Sequence, residues 1–226
     1  MTTRTRIGGA RRRGERGIST LEVLASSTII LIMIGVIYSF FLTQQSALAS
    51  LGAYANAQGV TRTVMDVMAR ELRMASFDPA GTALAISPSP TCAGVKDGIT
   101  EATPTSVRFR QDLNGDGAIS AVGEDVRYDL SGSTIRRTEG NGTPMTLVEG
   151  VPSGGFTIRY FDGSNPPVEL VPTGSPPTLT QALRACVTKV RVRVFSNLQN
   201  PDPDLMPQTS LAETEIAIRN RSIANF

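Results

Sequence analysis

The feature that most constrains this chain is a run of 20 residues without a charge near its N-terminus, from Val23 to Leu42. A helix rises about 1.5 Å per residue, so a helix over this run would be about 30 Å long, close to the hydrocarbon thickness of a bilayer. We therefore predict one membrane-spanning helix at about residues 23–42.

The charges on either side of the run predict its orientation. Residues 1–17 contain six arginines and one glutamate, whereas the whole chain has a net charge of only +2. No lysine or arginine follows Leu42 for 19 residues. Basic flanks stay in the cytoplasm, so residues 1–17 are predicted to be a cytoplasmic leader and the remainder to lie outside. Because the basicity belongs to this leader, we expect no nucleic-acid partner.

Other targeting signals explain the segment less well. Ala47-Leu48-Ala49 has the pattern of a signal-peptidase site, but the signal would be 49 residues long with a span-length apolar core. Arg11–Arg13 suggests twin-arginine export, yet nine residues, among them Glu22, separate it from the apolar run. An ordinary uncleaved signal anchor remains a third alternative.

None of these alternatives accounts for Glu22, which lies at the start of the predicted span. A carboxylate costs about 2.5–3.5 kcal/mol at the centre of a membrane helix and less near the interface. If the chain were cut between Gly17 and Ile18, a new α-amino group would lie one helical turn from this carboxylate. The two charges could then neutralise each other, within one chain or between neighbouring subunits, and a negative charge also suits a helix N-terminus.

The sequence Arg16-Gly17 followed by Ile18–Glu22 and the apolar run resembles the processing site of type IV pilins and pseudopilins. The resemblance implies cleavage after Gly17 by a prepilin peptidase and N-methylation of Ile18. It also implies that Glu22 contacts the N-terminus of an adjacent pilin or pseudopilin subunit during assembly. The chain departs from typical major pilins at Ser39, where they usually have proline, and its first mature residue would be Ile rather than the usual Phe.

The apolar run is predicted to continue as one helix over residues 18–77, about 90 Å long. There is no proline from Gln44 to Ser76, and Asp78-Pro79 is a helix stop. Apolar residues at spacings of three and four predict an amphipathic half at residues 43–77. These residues are Leu48, Leu51, Ala55, Val60, Val64, Val67, Met68, Leu72 and Ala75. We interpret Met65–Met68 as packing surface rather than a cofactor site.

The stretch Arg70–Gly81 narrows the resemblance to PilW-like minor pilins, which are related to the J-type pseudopilins of type II secretion. The ending Ile218–Arg221 is similar to the last strand of the same family. The resemblance implies a structural subunit that helps to prime assembly of a type IV pilus. A J-type minor pseudopilin is the nearest alternative. From another class, the head would be a signal-anchored module that binds a ligand or acts as an adhesin.

Beyond the helix, residues 78–226 alternate apolar and polar side chains between turns, which predicts half-exposed strands. The predicted strands are residues 107–110, 126–130, 156–160, 190–194 and 212–220, the last with Ile216 and Ile218 inward and Arg219 outward. Residues 165–177 and 201–207 are predicted loops. We expect an α+β fold in which the long N-terminal helix packs on one antiparallel sheet, a pilin-like head outside the cytoplasm.

One loop has the spacing of calcium ligands. Asp112, Asn114 and Asp116 occupy positions 1, 3 and 5 of a calcium loop, Gly117 is at position 6, and Ala118 would offer its backbone carbonyl. Position 12 is glycine, and the nearest carboxylate, Glu124, comes one residue late. The alternative is a hairpin turn rich in Asn-Gly and Asp-Gly that needs no metal. No other cofactor is expected.

The two cysteines, Cys92 and Cys186, are both predicted to lie on the exported side, where an oxidising compartment favours a disulfide. The bridge would connect the loop after the helix to a strand at residues 183–195. The alternative is two free, small core residues.

An enzyme is the weakest class for this sequence. There is no histidine in the chain, which excludes a histidine-dependent triad or a zinc–histidine site. The carboxylates Glu124, Asp125, Asp202 and Asp204 are predicted to be solvated loop charges. We therefore expect a structural protein rather than a catalyst.

Overall fold

The computed structural model describes residues 17, 19–87, 89–198 and 208–221. The chain divides into two compact units, Met1–Ala47 and Leu48–Phe226. The helices are α1 (Thr20–Met74) and α2 (Gln181–Cys186), with a short 3-10 helix at Arg219–Arg221. The strands are β1 (Ile99–Ala102), β2 (Ser106–Arg110), β3 (Asp125–Ser131), β4 (Thr134–Glu139), β5 (Met145–Val148), β6 (Phe156–Phe161), β7 (Glu169–Leu170), β8 (Lys189–Leu198) and β9 (Gln208–Ala217).

Helix α1 confirms the predicted long N-terminal helix, with an end that differs by three residues. It ends at Met74 rather than at Phe77, because Ser76 adopts a left-handed conformation with φ of 67°. The Ser76 N–H then donates to the Arg110 carbonyl at 2.9 Å, which directs the chain toward the end of β2. The predicted first residue, Ile18, lies outside the described residues.

The first unit contains residues 20–47 of α1, whose side chains are almost all exposed. Its serines and threonines donate hydrogen bonds to carbonyls three or four residues earlier, as Thr28 does to Leu24 at 2.8 Å and Ser39 does to Val36 at 2.8 Å. Such bonds satisfy the hydroxyls within the helix itself, so this segment presents few unpaired polar groups to an apolar surrounding.

The second unit contains two antiparallel sheets, whereas the sequence predicted one. The first sheet has the order β1-β2-β3-β4-β5, and the second has the order β7-β6-β8-β9. The chain passes from one sheet to the other at residues 149–155, where the Gly155 backbone comes close to Phe195. A Cβ on Gly155 would lie 2.6 Å from the Phe195 carbonyl oxygen. Alternation shows which side chains face inward, but not which strands share a sheet.

Four predicted strands are confirmed as β2, β3, β6 and β8. The last strand is shifted: β9 ends at Ala217, and Ile218 and Arg219 follow it, with Ile216 and Ile218 buried and Arg219 exposed as predicted. Strands β1, β4 and β5 and helix α2 were not predicted. The short β7 lies within the predicted loop 165–177, and the predicted loop 201–207 falls outside the described residues.

One hydrophobic core joins α1 to both sheets. From the helix it takes Val64, Met65, Met68, Ala69 and Leu72, and Ala75 follows directly after the helix end. The predicted stripe is thus confirmed in its C-terminal half, and Met65 and Met68 are packing residues as expected. Its N-terminal half is not buried: Leu48, Leu51 and Val60 remain exposed in this chain. The architecture is α+β, a long N-terminal helix packed with two antiparallel sheets.

Candidate functional site

The predicted processing site lies where α1 begins. The Ser19 carbonyl accepts the N–H of Glu22 at 3.0 Å and of Val23 at 3.2 Å, so the helix starts directly after Ser19. This places Glu22 in the first turn, where a carboxylate interacts favourably with the helix dipole. Gly17 is exposed, whereas Ile18, the predicted methylated residue, lies outside the described residues. A proteolytic cut between the two would therefore fall just before the first helical turn.

The segment that follows is suited to an apolar environment. Among the described residues one helix, Thr20–Met74, is long and apolar enough by length and composition to cross a membrane. None of its most apolar stretch is buried by this chain, and Leu31, for example, is 69% exposed. Because exposed aliphatic side chains are unfavourable in water, this surface is suited to lipid or to other helices.

A second apolar surface lies on the part of α1 that belongs to the second unit. Ala55, Gly59, Val60 and Thr63 form, with Leu147 of β5, the wall of a groove of about 500 Å³. The small residues Ala55 and Gly59 are four positions apart and lie on one side of the helix. This groove continues the apolar stripe that the core leaves exposed.

Helix α1 is connected to the first sheet by one charged cluster. The Glu71 carboxylate accepts the Tyr128 hydroxyl at 2.5 Å and two Arg137 nitrogens at 2.9 and 3.1 Å. Arg137 also donates to Glu139. Burial raises the pKa of Tyr128, and the neighbouring Glu71 carboxylate raises it further, so the phenol stays a donor. The cluster fixes how the helix lies on the sheet.

The chain after α1 is organised by Asp78, which the sequence had suggested only as a helix stop. Its carboxylate accepts the N–H groups of Ala83 and Leu84, and the Lys96 ammonium lies 3.2 Å away. Burial alone would raise the pKa of Asp78, but the Leu84 N–H and the Lys96 ammonium lower it below its ordinary value. An aspartate before proline at a helix end is the sequence signal that could have indicated this role.

Asp112 opens the predicted calcium loop and is fully buried. One carboxylate oxygen accepts the Gly115 N–H at 2.7 Å, and the other accepts the Gly117 N–H at 3.0 Å. Asn114 and Asp116 each accept the N–H group two residues further on, from Asp116 and Ala118 respectively. The carboxylates that would ligate a cation therefore already bind backbone N–H groups of the same loop.

Glu124 is 0% exposed, so its prediction as a solvated loop charge is wrong. One oxygen accepts the N–H groups of Leu113 and Asn114, and the other accepts those of Ser120 and Ala121. Burial alone would raise the pKa of Glu124, but these four N–H groups lower it. Glu124 thus holds the two ends of the loop together, a long-range role that no local pattern shows.

The prediction for Asp125 is also wrong, because this residue belongs to β3 and is largely buried. Arg108 binds it through two nitrogens at 2.7 and 2.9 Å, and Arg110 binds it at 3.2 Å. Burial would raise the pKa of Asp125, and the two guanidinium groups lower it. The other two predicted loop charges, Asp202 and Asp204, lie outside the described residues.

Calcium binding stays a prediction. In the part of the chain that the structure describes, no group of three or more Cys, Asp and Glu side chains is arranged to hold a metal ion. Carbonyl and Asn oxygens also bind calcium, so Asp112, Asn114, Asp116 and the Ala118 carbonyl remain the candidate ligands. Both oxygens of Glu124 are already occupied, each by two N–H groups, and this carboxylate would have to give up such bonds to ligate an ion.

The predicted disulfide is confirmed between Cys92 and Cys186, whose Cα atoms are 5.3 Å apart. The bridge connects the loop after α1 to helix α2 rather than to a strand, because β8 begins only at Lys189. Beside it lies a cavity of about 680 Å³, whose lining includes the disulfide and Leu170 as well as polar residues such as Asp162 and Lys189.

Comparison with known proteins adds no identification, since the chain matches no protein-family model, no curated protein and no solved structure.

Proposed function

We propose that this chain is a structural minor pilin of the PilW-like type. It inserts as a prepilin in the cytoplasmic membrane with the second unit outside the cytoplasm, and a prepilin peptidase cuts it after Gly17. Ile18 is then N-methylated, and the mature helix packs with other minor and major pilins. Its role is to prime assembly of a type IV pilus.

The observation that carries this proposal is the position of Glu22. This carboxylate lies in the first helical turn, directly before a 20-residue uncharged segment whose side chains are exposed among the described residues. An unpaired carboxylate is unfavourable in lipid. A function in which a positive charge lies beside Glu22 therefore explains this residue better than a simple membrane anchor does. A new α-amino group at residue 18, from the same or a neighbouring subunit, is such a partner.

The remaining architecture is compatible with this role. The C-terminal half of α1 belongs to the core of the second unit, whereas Leu48, Leu51 and Val60 are left exposed on the same helix. A subunit that packs against neighbouring helices needs an apolar stripe of this kind outside its own core. We expect no catalytic activity and no required cofactor.

The proposal is tested by the intact mass of the full chain recovered from membranes with and without prepilin peptidase. We expect loss of residues 1–17 and the addition of one methyl group, only when the peptidase is present. Gly17→Val should abolish the cut, whereas the matched leader variant Gly14→Val should be processed normally. Glu22→Gln should be cut but should fail to enter assembled filaments.

A chain that is never cut would contradict the proposal and leave a signal-anchored head. The cavity beside the disulfide is the observation that favours a ligand-binding or adhesin role in that case. A J-type pseudopilin of type II secretion would be cut in the same way. Deletion of the chain distinguishes the two roles. Loss of a minor pilin would stop pilus formation, whereas loss of a J-type pseudopilin would stop secretion of folded proteins.

A further inference from the structure

The described residues of the second unit include four edge strands, and one of them differs from the other three. Strands β1 and β5 have four residues each and pair with a register shift, and β7 has only two residues. Strand β9 has ten residues and pairs with β8 in ten consecutive positions without a bulge. Short strands and bulges are the usual protection against unwanted pairing, and β9 has neither.

The register shows which backbone groups of β9 are free. In β8, the Phe195 N–H donates to Gly155 on the β6 side, so odd-numbered residues of β8 point toward β6 and even-numbered ones toward β9. Their hydrogen-bonded partners in β9 are the even-numbered residues, such as Ile216 opposite Val190. The N–H and C=O groups of Leu211, Glu213 and Glu215 therefore point away from the sheet.

Among the described residues, no strand pairs with this side of β9, and no backbone hydrogen bond reaches the N–H groups of Leu211, Glu213 or Glu215. The strand also contains no proline and no lysine, the residues that commonly protect an edge. An extended segment of another chain could thus continue the sheet through its main-chain groups.

The charges at this edge define the chemistry of the segment. Glu213 and Glu215 lie on the outer face of β9, and the basic groups beside them belong to β8, on the far side from the edge. Lys189 and Arg191 form ion pairs with them, and Arg193 lies opposite Glu213. Of the two glutamates, Glu213 has the weaker ion pair. Its side chain is 50% exposed, and Arg191, with which it pairs, is 3.8 Å away. Side chains directly opposite each other in paired strands are about 5 Å apart, so basic residues are favoured opposite these glutamates.

A second copy of β9 fits this edge poorly. In the antiparallel register with the greatest overlap of outward-pointing residues, Glu213 would lie opposite Glu213 of the other copy. Like charges in that position destabilise a strand pair. This register therefore disfavours self-association, whereas a basic strand in the same register places opposite charges beside both glutamates.

We propose that the free edge of β9 is a docking site for an extended strand of a partner protein that carries lysine or arginine at two positions separated by one residue. The added strand continues the β7-β6-β8-β9 sheet, with its basic side chains opposite Glu213 and Glu215. Its other side chains extend the face on which Ile216 packs. This inference does not depend on processing at Gly17 or on the type of filament.

The test uses the full chain in detergent micelles and three labelled peptides. The first is Thr-Val-Lys-Val-Lys-Val-Thr, and in the other two both lysines are replaced by glutamate or by serine. We expect the lysine peptide to bind about tenfold more tightly than the glutamate peptide in fluorescence anisotropy, with the serine peptide between them. Its binding should slow amide hydrogen exchange at Leu211, Glu213 and Glu215.

Glu213→Pro tests the edge itself. The Glu213 N–H points outward, so proline removes a docking bond without removing a bond to β8. We expect at least about a tenfold loss of binding and an unchanged unfolding midpoint. Glu213→Gln keeps the N–H group and should only reduce the preference for the lysine peptide. If Glu213→Pro shifts the unfolding midpoint, its loss of binding no longer tests the edge. The peptide preference of Glu213→Gln and the exchange protection in the wild type then test the proposal.

Three results would overturn the proposal: no binding of any peptide, equal binding of the three peptides, or exchange protection located away from β9. In the second case the edge would accept strands without regard to charge, and the proposed partner chemistry would be wrong.

Discussion

The two halves of α1 have the same backbone structure but different surroundings. Residues 20–47 present apolar side chains in all directions, and almost all of these side chains are exposed in the described part of the chain. Residues 61–74 present one apolar face, which the two sheets bury, and one polar face. One part of the helix is thus apolar enough to cross a membrane, and the other part is stabilised by its own protein core. Substitutions in the two halves should therefore have unequal effects on the stability of the second unit.

The largest loss of unfolding free energy is expected when the disulfide of the second unit is removed. Cys92 and Cys186 are separated by 94 residues, and closing a loop of this length restricts the unfolded chain by about 4–5 kcal/mol in the entropy model. The double variant Cys92→Ala/Cys186→Ala should lose about this much free energy of unfolding in urea, with unchanged helix content in the first unit. A reducing agent should lower the wild type to a similar value and leave the variant unaffected.

The comparison between the two halves is tested directly by Leu72→Ala and Leu31→Ala. Leu72 is 0% exposed and Leu31 is 69% exposed. We expect Leu72→Ala to cost about 2–5 kcal/mol of unfolding free energy, because it leaves a cavity in the core. Leu31→Ala should change it by less than about 0.5 kcal/mol. Tyrosine fluorescence during urea unfolding measures both, and equal losses would contradict the division of the helix.

A smaller loss is expected for Glu71→Gln, which removes the charge that connects α1 to β3 and β4. Its bonds to Tyr128 and Arg137 are charge-assisted but partly exposed, so we expect a loss of about 1–2 kcal/mol. Glu169→Gln is the matched control, since Glu169 forms only a 3.7 Å exposed ion pair with Arg159. Similar losses for both variants would show that the cluster does not fix the helix.

The smallest effect is expected for Glu124, whose contribution to the free energy of unfolding depends on pH. Because the pKa of Glu124 is lower in the folded state, its stabilising contribution is complete above its unfolded pKa of about 4.3 and is lost as the pH falls through the folded value. Urea unfolding at a series of pH values should show wild-type stability falling below about pH 4. Glu124→Gln should be less stable at neutral pH and should lose less between pH 5 and 3. A parallel decline in both proteins would contradict this role.

The elements that the sequence predicted well depend on local patterns. Helix α1 extends over a stretch without proline, and strands β2, β3, β6 and β8 contain runs of four or more residues that alternate between apolar and polar. Weakly patterned elements were missed: β5 has two exposed residues before its first buried one, and α2 has only six residues. The pairing of Cys92 with Cys186 was also predictable, because the chain has no other cysteine.

The sequence alone determined that the chain has a basic N-terminal stretch, a long N-terminal helix with a membrane-length apolar segment, and a β-rich second unit. Periodicity and charge are properties of neighbouring residues, and these conclusions need nothing else. Only the tertiary structure decided that the strands divide into two sheets, that Glu124 is buried and that β9 is left as a long free edge. Each of these depends on contacts between residues far apart in the chain, where many pairings satisfy the same local pattern and packing selects one.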